Sequence, residues 1–395
     1  MYITSFVHRE ELFDIAERWL CNRLEPTDGL RLTQIFICDG FVLGETLGAF
    51  ARLLLSAIYE KPFRASPVLF KGDLGESLCK HAGIKTPRVE ELLRQYRANQ
   101  DFFYVEAPVN GIVCTDEEGC LLALYRIKRP RRIAEKANRY IANWIFRMVQ
   151  SRAQQMAEER ARKLSIPLSY LLTPEEEMAR EFTFAEEAIA QTFKEGTAKF
   201  DRSALTMNDV GGIKIVGDEE TLLRVEEFLK KHPSVNIIEE EEHQGAYRAR
   251  NMIVDVPWDR ETVCRTYLEV QAWKRYLGRG IGKNELRKGI DPFLHNVAPR
   301  IRFELILSTF PDLVESELGM SIHEERIIAQ RGHKMYKGYI PMNVEFLIEY
   351  LFCVGLSPQI RVDRLPVKLW GRYLPDTIGY HIRQLYHLPE HDTLY

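Results

Sequence analysis

Met207-Asn208-Asp209-Val210-Gly211-Gly212-Ile213-Lys214-Ile215-Val216 sets an acidic residue at the edge of a strand. A carboxylate placed in a sheet is costly to bury unless it is paired or binds a metal. Sixty residues after Asp209, Tyr267-Leu268-Glu269-Val270-Gln271 reads as another strand with an acid inside it. Between the two lies Gly245-Ala246-Tyr247-Arg248-Ala249-Arg250-Asn251, which runs into the apolar stretch Met252 to Val256. Two carboxylates on strands that can lie side by side point to a divalent-cation site. The alternative is a strand-end Asp209 that caps a turn and an exposed Glu269 on an edge strand.

Around this centre, Glu219 to Lys231 is an amphipathic helix whose apolar face is Leu222, Leu223, Val225, Phe228 and Leu229. With Ile213 to Val216, Val235 to Ile238, Met252 to Val256 and Tyr267 to Val270 it predicts β-α-β-β-β, a mixed sheet with helices on one side. Upstream, Phe102 to Val105 and Gly111 to Cys114 read as strands. Thr115 to Gly119 then makes a hairpin turn into Cys120 to Arg126. From Arg131 to about Leu164 there is no Pro or Gly, which predicts one long helix. Thr173-Pro174 predicts the N-cap and first turn of another, running to about Lys194.

The first hundred residues are mixed. A helix is expected over Glu10 to Leu20, a short buried strand over Thr33 to Cys38, an apolar helix over Glu45 to Tyr59, and a helix over Leu92 to Asn99. After Gly282 mostly helix is expected, with breaks at Pro341, Pro358, Pro366 and Pro375. The expected division is an N-terminal α/β region over 1–100, a central domain over 101–285 with a helical insertion at about 137–200, and a mostly helical region over 286–395. The fold class is α+β, a mixed sheet flanked by helices.

The chain has 395 residues, 45% hydrophobic and 28% charged, enough for two or three domains. A net charge of −3 argues against nucleic-acid binding by the whole surface and leaves room for a local basic site. Seven cysteines without a CxxC pair read as reduced thiols. The N-terminus lacks a signal peptide's pattern. The stretch Leu47 to Tyr59, broken by Arg52, is short for a bilayer span. A cytoplasmic protein with no membrane partner is expected.

The second informative segment is Arg126-Ile127-Lys128-Arg129-Pro130-Arg131-Arg132-Ile133-Ala134-Glu135-Lys136. Arg126 and Lys128 share a strand face, Pro130 ends the strand, and Arg132 and Lys136 lie four apart on one helix face. Basic groups that converge at a strand end and a helix start suit a polyphosphate, although a solvated or acid-paired basic face has the same composition.

Together these segments resemble the synthetase domain of RelA/SpoT-type alarmone synthetases. They are Arg-x-Lys-x-Pro-x-x-Ile-x-x-Lys, the strand Asp209 with Val-Gly-Gly-Ile-Lys-Ile, Tyr247-Arg248-Ala249, and Glu269-Val270-Gln271, in that order. The resemblance covers roughly Leu122 to Trp273. It implies a nucleotidyltransferase-like core that uses Mg²⁺ to move a pyrophosphoryl group from ATP to the 3′-hydroxyl of a guanine nucleotide. In that comparison Asp209 and Glu269 match the metal-binding and catalytic acids. Arg126, Lys128 and Lys136 match ATP-phosphate contacts, with Arg132 beside them where the family has a small serine. Tyr247 matches the tyrosine stacked on the acceptor base, and Asn251, Gln271 and Lys214 fall on the acceptor side.

Asn251 replaces a histidine, Ala246 replaces a glycine, and the acidic run Glu239 to Glu242 stands where the family carries lysines. These departures admit another acceptor, an adenine nucleotide or the 3′ end of tRNA, or an inactive nucleotide-binding sensor. The arginines of the helical insertion would face such an RNA. A homo-oligomer or a regulatory partner is expected to act through the terminal regions. The His391-Asp392 pair lacks the surrounding ligands of a hydrolase centre.

Overall fold

The expected hairpin forms between strands that belong to a wider sheet than the sequence suggests. The computed structural model describes residues 1–59, 62–245, 247–319, 325, 328–329 and 338–389. In chain order come β1 (Tyr2–Ile3), α1 (Arg9–Leu20), α2 (Asp28–Ile58), β2 (Phe63–Phe70), α3 (Lys71–Lys80), α4 (Pro87–Ala98), β3 (Pro108–Asp116) and β4 (Leu121–Ile127). They are followed by α5 (Pro130–Lys163), α6 (Glu175–Glu195), β5 (Thr206–Met207), β6 (Gly211–Val216), α7 (Glu219–Lys231), β7 (Asn236–Gln244) and β8 (Arg248–Pro257). Then come α8 (Arg260–Glu269), α9 (Lys283–Leu286), β9 (Arg300–Ser308), α10 (Phe310–Leu318) and helices at Tyr339–Leu356 and Pro375–Leu385.

The protein is α+β, built on a mixed seven-stranded sheet of order β2-β3-β4-β6-β9-β8-β7. β6 and β9 are parallel and the other pairings in this sheet are antiparallel. Alternation along the strands gives the sheet two different faces. Ile213 and Ile215 of β6, Phe303, Leu305 and Leu307 of β9, and Met252, Val254 and Val256 of β8 are buried in the main core. Phe303 meets Phe50 of α2 edge to face at 5.3 Å. The other face is covered near β2 to β4 by a second core, in which Val113, Leu121 and Leu124 pack with Leu92 and Leu93 of α4 and Leu313 and Val314 of α10. Toward β9 and β8 that face carries polar residues.

Several expectations are corrected. Thr33 to Cys38 is helix, the interior of α2, where Leu32, Thr33, Gln34, Ile35, Ile37, Cys38 and Asp39 are all buried. A helix covered on all sides loses its 3.6 period and resembles a buried strand. Phe102 to Val105 contains no strand; a short 3-10 helix spans Gln100–Phe103. Tyr267 to Val270 is not a strand either, because α8 runs to Glu269. The strand that completes the β-α-β-β-β sequence is β9, in a region expected to be helical. Pro174, not Thr173, occupies the cap position of α6. β2 and β9 lie in one sheet with the central strands, so the boundaries at 100 and 285 do not separate sheets.

The helical insertion is present as α5 and α6, which pack on each other. α2 and the Tyr339–Leu356 helix are long and apolar enough to cross a membrane, yet 61% of each apolar window is buried within this fold. His391 and Asp392 lie outside the described residues.

Candidate functional site

Backbone pairing draws the polar face together. Arg126 of β4 sits opposite Gly212 of β6, and Gly212 opposite Glu304 of β9. Glu304 in turn pairs with Ile253 of β8, and Ile253 with Glu239 of β7. One row of side chains thus crosses the sheet. The next row runs Leu124, Lys214, Ile306, Asn251 and Glu241. Gly212 keeps the space between Arg126 and Glu304 open; a Cβ there would lie 3.8 Å from the Glu304 carboxylate.

Asp209 precedes β6, and the backbone N–H of Lys128 donates to the Val210 carbonyl at 2.8 Å, fixing the end of β4 beside it. Lys128 Nζ donates to Asp209 Oδ2 and also lies 3.8 Å from Glu304 Oε2. Lys136, nearly two turns into α5, donates to the same Asp209 oxygen at 2.6 Å. Burial alone would raise the Asp209 carboxyl; the two lysines outweigh it and hold it down at about 2. Lys136 is pushed down by burial, but Asp209 prevails and its ammonium is raised. Asp209 Oδ1 is buried and accepts no hydrogen bond among the described residues. That orphaned oxygen is costly unless a further ligand reaches it.

The four expected phosphate residues occupy one corner. Arg126 makes no ion pair with any described residue, whereas Arg132 is held by Glu135 at 3.0 Å. Burial lowers the Lys214 ammonium, which Glu317 of α10 opposes from 3.6 Å. Glu317 also lies 3.2 Å from Lys71, so α10 supplies a carboxylate beneath the site. Asn251 lies on the polar face with its side-chain oxygen buried and unpartnered among the described residues. Tyr247 sits in the β7–β8 hairpin, its ring 4.6 Å from that of His243. Ala246 lies outside the described residues.

Two expected residues are elsewhere. Glu269 ends α8 with its side chain 65% exposed and 3.9 Å from Arg265, and Gln271 follows in a left-handed turn at φ 50°. Neither is in the sheet, so the premise that put Glu269 beside Asp209 fails. The strand carboxylate that shares Lys128 with Asp209 is Glu304, which sequence reasoning missed. Its signal was legible: Arg300, Arg302 and Glu304 alternate with Ile301, Phe303, Leu305 and Leu307.

No group of three or more His, Cys, Asp or Glu is arranged as a metal centre among the described residues. Asp209 Oδ1 and Glu304 nonetheless suit Mg²⁺, which takes one or two carboxylates and completes its shell with water and phosphate.

No protein-family model matches this chain, and no curated protein matches it. A comparison of solved structures returns the small alarmone synthetase 1 from Bacillus subtilis, covering 67% of this chain and 85% of that one. Its identity is 11% and its TM-score 0.21, values too low to support a functional argument.

Proposed function

We propose that this chain is a Mg²⁺-dependent pyrophosphokinase that transfers a pyrophosphoryl group from ATP to the 3′-hydroxyl of a guanine nucleotide. The observation that carries the reading is Asp209, clamped by Lys128 and Lys136 through one oxygen, with its other oxygen orphaned among the described residues, while Lys128 also lies 3.8 Å from Glu304. The order of the basic corner, the strand acid and Tyr247-Arg248-Ala249 along the chain supports the same class.

Phosphoryl-type transfer asks the protein for charge neutralisation and in-line placement of a hydroxyl more than for covalent work. Arg126, Lys128 and Lys136 would hold the ATP phosphates, trading the carboxylate that neutralises the lysines now for phosphate oxygens. Asp209 Oδ1 and Glu304 would hold Mg²⁺, which when bound neutralises charge on the phosphates. Glu304, central in its row, would also accept the proton of the attacking hydroxyl. Lys214 and Asn251, one row along, would face the acceptor, with the Tyr247 ring at the hairpin end.

A second reading concerns the acceptor alone. Glu239 and Glu241 lie on the same sheet face as Asn251, and a carboxylate row repels a polyphosphate. This favours an acceptor poorer in phosphate at that end, such as the 3′ end of tRNA. The test is incubation with labelled ATP, Mg²⁺ and GDP, GTP, ADP or tRNA in turn, reading AMP release. AMP with GDP or GTP supports the first reading, AMP with ADP alone moves the same reaction to an adenine nucleotide, and AMP with tRNA alone supports the second. ATP binding without AMP from any acceptor would replace both with a sensor.

A further inference from the structure

The segment Trp273 to Lys288 departs from the chain's overall acidity. It holds six cations, Lys274, Arg275, Arg279, Lys283, Arg287 and Lys288, against the single acid Glu285, in a protein of net charge −3. None of the six makes an ion pair with a described residue, although the chain pairs Arg260 and Arg265 just upstream with Asp291 and Glu269. Lys274, Lys283 and Arg287 all converge on the Trp273 ring, at 5.8, 5.7 and 5.7 Å from its centroid. Arg279 lies 5.7 Å over Tyr276. Three like charges around one ring repel each other at close range, and none of the three is ion-paired with an acid among the described residues. Such an arrangement is stabilised by an incoming polyanion.

The loop is also rigidly placed. Gly280 adopts φ +77°, and a Cβ on it would come within 2.4 Å of the Pro358 carbonyl oxygen. Trp273 and Tyr276 pack against the small core of Ile37, Ile281 and Leu286. Their rings are therefore occupied in supporting cations and are not offered to stacked bases. Leu277 is the one large apolar side chain within the segment that is exposed among the described residues, which leaves no apolar face to enter a lipid surface. α9, only Lys283–Leu286, is too short to fill a duplex groove. α8, which leads into the segment, packs through Tyr267 on Phe41 of α2, the helix that covers the sheet face opposite to the one bearing Glu304.

We propose that residues 273–288 form a binding surface for the phosphate backbone of single-stranded nucleic acid, separate from the Asp209 site. Recognition through phosphates alone is indifferent to sequence and strongly salt-dependent, with a slope of log K on log salt near −4 for about six contacts.

The test is fluorescence anisotropy of the full chain with a labelled mixed-sequence single-stranded RNA of about 20 nucleotides, across a salt series. The same measurement is made with the DNA strand of that sequence, its duplex, and phosphatidylserine vesicles. Arg275→Glu with Lys288→Glu changes two exposed cations that do not pack on Trp273, and the melting temperature checks that the fold is kept. The expected result is single-strand binding that falls at least about tenfold in this variant with a shallower salt slope, and is unchanged in Lys128→Ala. Equal RNA and DNA affinity indicates backbone contacts alone, and RNA preference adds the 2′-hydroxyl; both support the proposal. It is overturned if the variant binds like the wild type, if Lys128→Ala abolishes binding, if the duplex or vesicles bind more tightly, or if no strand binds at low salt.

Discussion

Lys136 Nζ lies 2.6 Å from Asp209 Oδ2, while the other oxygen of the same carboxylate is buried without a hydrogen-bond partner among the described residues. One half of Asp209 is thus saturated by cations and the other half held in reserve. A purely structural ion pair would be expected to satisfy both oxygens. The asymmetry fits a carboxylate that exchanges lysine for a metal when phosphates arrive.

The depressed carboxyl of Asp209 makes a pH prediction. Its folded-state value, about 2, lies below the ordinary 3.8. Its contribution to stability, about 2 kcal/mol, is therefore complete above pH 4 and is lost as pH falls through 2. Thermal melts of wild type and Asp209→Asn should differ at pH 7, converge below pH 4 and coincide near pH 2. A difference that persists at pH 2 would mean that the lysines do not hold the carboxyl down.

His8 and Asp39 predict a stability effect far from the site. Asp39, fully buried in α2, accepts from the His8 backbone N–H at 2.9 Å and pairs with its ring, whose Nε2 lies 2.7 Å from the Phe293 carbonyl oxygen. His8→Ala strands a buried carboxylate and should cost about 3 kcal/mol or more. His8→Ala with Asp39→Leu should recover part of that loss. Urea denaturation of the three variants measures it, and a His8→Ala loss below about 1 kcal/mol would be inconsistent with the pair's burial.

Gly280→Ala should destabilise the chain by at least about 1 kcal/mol, because φ +77° disfavours an L side chain and the added Cβ meets the Pro358 carbonyl. Gly278→Ala, at φ +86° but in open space, should cost less. Melting temperatures of the two variants separate conformational strain from the clash.

The sequence resolves those elements whose faces differ. α7 shows one apolar face, β6 and β8 alternate or run apolar between polar flanks, the β3–β4 hairpin is marked by its turn, α5 by its lack of Pro and Gly, and all stand close to where they were expected. The first half of α2 is hidden because Leu32 to Ile35 and Ile37 to Asp39 are all buried, while its second half, with an exposed face, was expected as the helix over Glu45 to Tyr59. Tyr267-Leu268-Glu269-Val270 misleads because its bulky residues favour strands, while the helical signal lies just before it. Asp259 caps the Thr262 N–H at 3.1 Å, and Val263 and Tyr267 are buried four apart. In the site, the basic corner and Asp209 were legible as local motifs. The alternation around Glu304 marked a strand but not its place in the site, since that depends on β9 entering the sheet between β6 and β8, a pairing set by long-range packing.

Which strand carboxylate works with Asp209 is the point most open to direct test. AMP release from ATP, with whichever acceptor supports turnover, is to be measured for wild type, Glu304→Gln and Glu269→Gln at matched melting temperatures. Glu304→Gln should lose at least about 100-fold in rate, while Glu269→Gln keeps wild-type activity. Full activity in Glu304→Gln, or loss of activity in Glu269→Gln, would contradict the assignment of the site to the face that bears Asp209 and Glu304.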